Sequence, residues 1–142
     1  MGIVIDTNIA LDLLVFDDPG YAHLGAALEA GELRWLATPA MRDELARVLA
    51  YPLIVARLAA TGRDAQGVLA AFDARAHVVD GVPARASCVC TDPDDQIFID
   101  LAVAHRARLL SKDRAVLSMR KRLAVQGVAV SGQWAPPDTT AA

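Results

Sequence analysis

The feature of this sequence that most constrains its fold is the alternation of short apolar runs with helical segments. The first run is "GIVID" at residues 2–6, and the later runs "LRWLAT", "HVVD", "RLLS" and "GVAVS" also have the length and aliphatic content of strands. The clearest helix is "TPAMRDELARVLAYP", with Thr38 as its cap, Pro39 at its first position and Pro52 at its end. Strands that alternate with helices predict a parallel sheet with helices on both faces.

The length and composition of the chain fit one domain. Its 142 residues are 54% hydrophobic, and no linker, repeat or low-complexity tract divides them. We expect one domain over residues 1–133 and a flexible tail over residues 134–142, because the chain ends in "PPDTTAA". No apolar run approaches the roughly 20 residues that cross a bilayer. Asp6 and Asp12 interrupt the first apolar stretch, which argues against a signal peptide. These features predict a cytoplasmic protein that does not enter a membrane.

Two acidic residues follow predicted strands. Asp6 ends the first strand and precedes Thr7 and Asn8, while Asp113 comes just after "RLLS", two residues beyond Ser111. Ligands of parallel sheets bind beyond the carboxyl ends of the strands, and both acids fall at such ends. Taken singly, Asp6 could lie in a surface turn and Asp113 could only cap a short helix.

Two further acids lie on helices beside apolar faces. At about 100° per residue, Glu44 falls at the edge of its helix's apolar stripe, between Met41 and Val48. Asp95 lies in the first turn of the helix "DPDDQIFIDLAVAHRA" and shares a face with Ile99. A carboxylate beside a buried face needs a partner or a cation, although Glu44 alone could be a boundary residue that leans out to solvent.

The four acids together indicate a metal site. They are Asp6, Glu44, Asp95 and Asp113. Several carboxylates in one cleft repel one another unless a cation neutralises them. Oxygen ligands without histidine or cysteine favour Mg²⁺ or Mn²⁺, and such a site suits hydrolysis of a phosphodiester bond. The neighbouring Asp92 and Asp94 are instead assigned to the cap and first turn of their helix.

The two cysteines do not form part of this hypothesis. Cys88 and Cys90 stand in "SCVCTD", where an extended segment would place both on one face. Zinc needs about four ligands, and no other cysteine completes such a set. We interpret them as two ordinary buried thiols.

Three stretches of the sequence resemble the PIN-domain ribonucleases, and in particular the group that includes the VapC-type toxins of bacterial toxin–antitoxin systems. They are "VIDTN", "TPAMRDEL" and "DPDDQIFIDLAVAHRARLLSKD", and the resemblance spans roughly residues 3–131. It implies a three-layer α/β/α sandwich around a parallel sheet, and a Mg²⁺- or Mn²⁺-dependent endoribonuclease. The implied catalytic and metal-binding residues are Asp6, Glu44, Asp95 and Asp113. Thr7, Asn8 and Ser111 would orient the site.

Basic residues gain a role from this resemblance. Seven of the 14 lysines and arginines lie between residues 106 and 122, a concentration that can bind phosphates but can also be an ordinary solvated helix face. Those that flank Asp113 are the candidates for binding RNA, namely Arg106, Arg108, Lys112 and Arg114. Arg106 departs from the family pattern, because a small, glycine-like residue often follows this helix in relatives.

The resemblance also implies partners. A toxin of this group would act on RNA, bind an antitoxin protein and form a homodimer. The alternatives are a PIN nuclease that processes RNA without being a toxin, and a catalytically weak protein-binding module on the same scaffold. A phosphatase of the haloacid dehalogenase type is disfavoured, because its second acid would stand where Asn8 is found.

Overall fold

The computed structural model of the protein describes residues 1–135 and contains a five-stranded, fully parallel sheet. The strands are β1 (Gly2–Ile5), β2 (Arg34–Ala37), β3 (Ala76–Val78), β4 (Arg108–Leu110) and β5 (Val130–Ser131). Their order across the sheet is β3-β2-β1-β4-β5. The apolar run that opens the sequence therefore forms the central strand, and its Ile3, Val4 and Ile5 are buried.

Eight α-helices connect these strands in the described part of the chain. They are α1 (Thr7–Leu14), α2 (Ala22–Glu29), α3 (Pro39–Leu49), α4 (Pro52–Ala60), α5 (Ala65–Arg75), α6 (Gln96–His105), α7 (Arg114–Leu117) and α8 (Arg120–Val125). Short 3-10 helices at Pro19–Tyr21 and Pro93–Asp95 precede α2 and α6. None of the helices within residues 1–135 is long and apolar enough to span a membrane.

The strand order divides the helices between the two faces of the sheet. Helices α1, α3 and α5 pack against one another, and α6 packs on β1 and β4. The chain moves outward from β1 to β3 and then crosses back to β4 and β5. Because crossovers between parallel strands are right-handed, this reversal places α6 to α8 on the opposite face from α1 to α5. The predicted three-layer α/β/α architecture is confirmed.

The strand that would place Cys88 and Cys90 on one face is not formed. The β3–α6 segment, residues 79–92, contains no strand. The carbonyl of Cys88 and the amide of Cys90 bond to the side chain of Gln96 on α6 instead of to a neighbouring strand. The Gln96 side chain therefore supplies the hydrogen-bond partners that a neighbouring strand would otherwise supply to these backbone groups.

The predicted flexible tail over residues 134–142 lies mostly outside the described residues, which end at residue 135. Within them, Trp134 is buried beside the hydrophobic core. The boundary at residue 133 stays a prediction.

Candidate functional site

The carboxyl ends of β1 and β4 bring two predicted site residues side by side. Ile5 pairs with Leu110 in the sheet, so that Asp6 and Ser111 are the next residues on adjacent strands. The Asp6 amide donates to the Leu110 carbonyl at 3.0 Å, which extends the ladder by one bond. The position of Asp6 is therefore set by the central strand and its neighbour.

Each oxygen of the Asp6 carboxylate has a fixed partner. Oδ1 accepts the amide of Ile9 at 3.0 Å, which caps α1, and Oδ2 accepts the hydroxyl of Ser111. The residue is only 4% exposed. Burial raises the pKa of Asp6, while the hydrogen bonds from Ser111 and Ile9 oppose that rise. Asp6 is thus a buried, oriented carboxylate that nearby positive charge would stabilise in its ionised form.

Ser111 connects Asp6 to a second acid. Its Oγ donates to Asp6 and accepts the amide of Asp113 at 3.1 Å. Asp113 in turn caps α7, because its Oδ1 accepts the amide of Ala115 at 2.8 Å. Ser111 is completely buried, its bond to Asp6 is buried and its bond to Asp113 is partly buried.

Asp113 also belongs to a group of three aspartates. One carboxylate oxygen each from Asp92, Asp95 and Asp113 lie within 4.8 Å of one another. All three residues are partly exposed, which leaves the group open to solvent on one side. Negative charges at this separation repel strongly unless a proton or a cation intervenes.

Asp95 carries the clearest sign that this group lacks a positive partner. Its Oδ2 atom is buried and has no hydrogen-bond partner within the described residues. Burial raises the pKa of Asp95 from 3.8 to about 7, together with the negative charges of Asp113 and Asp92, a side-chain hydrogen bond with Asp113 and the charge of Asp6. An unpartnered oxygen among carboxylates is the environment that a hard divalent cation fits, since Mg²⁺ and Mn²⁺ take oxygen ligands.

Asp92 is the member of the group that the sequence analysis did not name as a candidate ligand. It does cap the 3-10 helix, since its Oδ1 accepts the amide of Asp94 at 3.0 Å. The capping role accounted for Asp92 in the sequence, so its proximity to Asp95 across the turn was not predicted. The signal in the sequence was the spacing of three between the two acids in "DPDD", because residues three apart in a helical turn are neighbours.

Glu44 lies apart from the three aspartates but is connected to the other side of the site. One of its oxygens accepts the hydroxyl of Thr7, the residue after Asp6. Its other oxygen lies 3.7 Å from the guanidinium of Arg47. Glu44 is partly buried, whereas Asn8 is exposed at the start of α1. Thr7 therefore holds Glu44 in place, and Asn8 makes no comparable side-chain contact with any residue between 1 and 135.

The four basic candidates lie at the two edges of the sheet that the strand ends form. Arg106 and Arg108 are at the amino edge, and Lys112 and Arg114 are at the carboxyl edge. Arg106 ends α6 in a left-handed conformation with φ 49°, and Arg108 begins β4, so both precede the strand that the acids follow. Lys112 and Arg114 lie on either side of Asp113 and are exposed.

Lys112 is already engaged in contacts of its own. Its ammonium contacts the carboxylate of Asp12 and lies 5.8 Å from the centre of the Tyr21 ring. Of the four candidates, Arg114 is thus the exposed cation beside the acids that forms no ion pair within the described residues.

The family model for the PIN domain matches residues 2–115, which include all of the acids described above. The chain belongs to the PIN domain family. PIN domains are generally nucleases, and PIN nucleases use divalent metals. The acidic group at the carboxyl edge of this PIN domain fits that chemistry in its ligand type and its unpartnered oxygen. A comparison with curated protein sequences finds no significant match.

Proposed function

We propose that this PIN domain is an endoribonuclease that hydrolyses RNA phosphodiester bonds with Mg²⁺ or Mn²⁺. The observation that carries the proposal is the buried, unpartnered Oδ2 of Asp95 within a group of three aspartates. A structural acid at this depth would have a hydrogen-bond donor or an arginine beside it. Oδ2 of Asp95 has neither within the described residues, and a bound cation would supply the missing partner.

The residues that would hold the ion are Asp92, Asp95 and Asp113, together with Asp6, which Ser111 connects to Asp113. Both oxygens of Asp6 accept one hydrogen bond and keep lone pairs for a further interaction. Ser111 would fix the distance between Asp6 and Asp113, and Thr7 would hold Glu44 at the margin of the site. When bound, the metal would supply a Lewis acid that activates water and neutralises the charge of the scissile phosphate.

Substrate binding requires positive charge near this acidic edge. Arg114 is suited to contact RNA phosphates, because it is exposed, adjacent to Asp113 and outside any ion pair of the described residues. Lys112 would first have to exchange its contact with Asp12 for a phosphate. Arg106 and Arg108 precede β4, so any RNA that they bind would lie away from the acids.

The biological role in this proposal is that of the toxin of a type II toxin–antitoxin pair, held by an antitoxin protein. This role rests on the resemblance of the motifs to VapC-type toxins. A homodimer is part of the same proposal, and apolar residues exposed on and beside α4 support it: Tyr51, Leu53 and Val55. The non-toxin nuclease that processes RNA remains the alternative, and a neighbouring antitoxin gene would separate the two.

The test is an RNA cleavage assay with and without Mg²⁺ or Mn²⁺. We expect cleavage by the wild type only with metal, and a loss of more than about 100-fold in Asp6→Asn and Asp95→Asn. Removing a carboxylate that binds the ion should cost more than removing a residue that only supports such a carboxylate. Asp43→Asn is the matched control, because Asp43 is exposed on α3. Metal-independent cleavage, or equal cleavage by all variants, would contradict the proposal.

A further inference from the structure

We propose that Gln96 is a positioning residue for the metal site, which it serves by holding Asp92 beside Asp95 and Asp113. The inference rests on the proposed function, since it concerns the same site. Gln96 is the first residue of α6 and is only 5% exposed, an unusual burial for a polar side chain. Its contacts explain this burial.

The side-chain amide of Gln96 uses each of its polar groups. Oε1 accepts the amide of Cys90 at 2.7 Å, and Nε2 donates to the carbonyl of Cys88 at 3.0 Å and to Oδ1 of Asp100 at 2.8 Å. An amide offers two donors and an acceptor, and all of them are engaged here. A fully satisfied buried network of this kind fixes one geometry.

Asp100 extends the same attachment along the β3–α6 segment. It lies one helical turn after Gln96, and its Oδ1 also accepts the amide of Ala86 at 2.9 Å. Two side chains of α6 therefore bind three backbone groups of a segment that has no strand partner. Without them this segment would have buried polar groups without partners, which is costly.

The position of the Gln96 contacts relates this attachment to the metal site. The bond from the Cys90 amide to Gln96 closes a loop over residues 91–95, which contains Asp92 and Asp95. Repulsion among these acids and Asp113 favours opening of that loop in the absence of a cation. Gln96 opposes the opening, and so the ligands are already assembled when the ion arrives.

The chemistry of the residue matters as much as its size. A neutral amide can donate to Asp100 and to a carbonyl, whereas glutamate would lose both donors and add a negative charge beside Asp100. Methionine has a similar volume and makes none of these bonds. The two substitutions therefore separate hydrogen bonding from packing.

The experiment measures Mn²⁺ affinity of the full chain by calorimetry, in a double-mutant cycle of Gln96→Met and Asp92→Asn. We expect each single variant to lower the affinity about 10- to 100-fold, as removal of supporting partners does at metal sites. The double variant should lose little more than either single variant, because Gln96 acts through Asp92. Gln96→Glu should lose at least as much as Gln96→Met, because it lacks both donors and places a second negative charge beside Asp100.

A control variant separates positioning from general stability. Arg63→Met removes a comparable attachment, since Arg63 donates to the carbonyls of Leu14 and Val15 away from the acids. It should lower the melting temperature without changing Mn²⁺ affinity. The inference is overturned if Gln96→Met binds Mn²⁺ like the wild type, or if the double variant loses the product of the two single losses. Absence of Mn²⁺ binding in the wild type would instead overturn the proposed metal site itself, and the inference with it.

Discussion

The two halves of the acidic site are built in different ways. Asp6 and Ser111 follow paired strands, so the sheet ladder itself fixes their separation. Asp92 and Asp95 follow an irregular segment whose backbone is held by side chains of α6. Asp113 belongs to both halves, because it bonds to Ser111 and lies against Asp92 and Asp95.

The two halves also differ in how many of their carboxylate oxygens have hydrogen-bond partners. In the strand half each oxygen of Asp6 accepts one hydrogen bond, whereas in the segment half Oδ2 of Asp95 has no partner among residues 1–135. A metal site needs carboxylates in fixed positions and oxygen atoms that are free to bind the ion. The strand half offers a carboxylate in a fixed position, and the segment half offers a free oxygen atom.

Among the residues that support the acids, Ser111 should have the largest effect on the strand half when it is removed. Ser111→Ala breaks the bonds to both Asp6 and Asp113 at a completely buried position. We expect metal affinity and cleavage to fall about 10- to 100-fold, and the free energy of unfolding to fall by about 1–3 kcal/mol. Calorimetry and chemical denaturation measure the two effects. Ser118→Ala is the control, since Ser118 is exposed on the far side of α7 from Asp113. An unchanged metal affinity would show that the strand half does not orient ligands.

A pH titration probes the segment half. The pKa of Asp95 is raised to about 7, chiefly by burial and then by neighbouring charge. The ion competes with the proton on this group, so the affinity for Mg²⁺ should rise about tenfold between pH 6 and pH 8. Asp95→Asn should abolish this dependence. A wild-type affinity that is flat over the same range would contradict the protonation state inferred for Asp95.

The same pKa has an opposite consequence for the metal-free protein. Between about pH 4 and pH 7 the folded chain keeps a proton on Asp95 that the unfolded chain has lost. The folded state therefore binds more protons in this window, and the free energy of unfolding should fall as the pH rises through it. Melting curves at pH 5 and pH 8 in the presence of a chelator measure this change, and added Mn²⁺ should offset it at pH 8.

The smallest expected effect concerns RNA binding at the two edges of the sheet. Arg114→Ala should lower the slope of log affinity against log salt by about 0.7–1, the value of one phosphate contact. Arg108→Ala removes the same charge at the opposite edge and should leave the slope unchanged. Fluorescence anisotropy of a labelled single-stranded RNA, measured without divalent metal, gives both slopes. A larger loss in Arg108→Ala would place the RNA on the other edge.

The sequence predicted the sheet and the strand half of the site because both depend on local patterns. The alternation of strands and helices indicated a parallel sheet, and that sheet brings Asp6 and Ser111 together wherever β1 and β4 are neighbours. The order of the strands was not predicted, since it depends on which crossover reverses direction. The position of Arg108 at the opposite edge from Asp113 follows from that same strand direction.

The segment half could not be predicted in the same way. The cap of a 3-10 helix accounted for Asp92 locally, and its proximity to Asp113 depends on a chain path with no secondary structure. Gln96 gave no signal, because its partners are backbone groups, which every residue has. Side chains that bind irregular backbone have no periodic pattern in the sequence.

The most direct test of the account is Mn²⁺ binding to the wild type, to Asp113→Asn and to Asp94→Asn. Asp113 joins the two halves, whereas Asp94 is adjacent to Asp95 but lies outside the group of three aspartates. Both substitutions remove one negative charge. The account predicts that Asp113→Asn weakens binding at least about tenfold and that Asp94→Asn binds nearly as the wild type does. Equal weakening by the two variants would mean that the ion senses only diffuse negative charge, and it would contradict a site built from both halves.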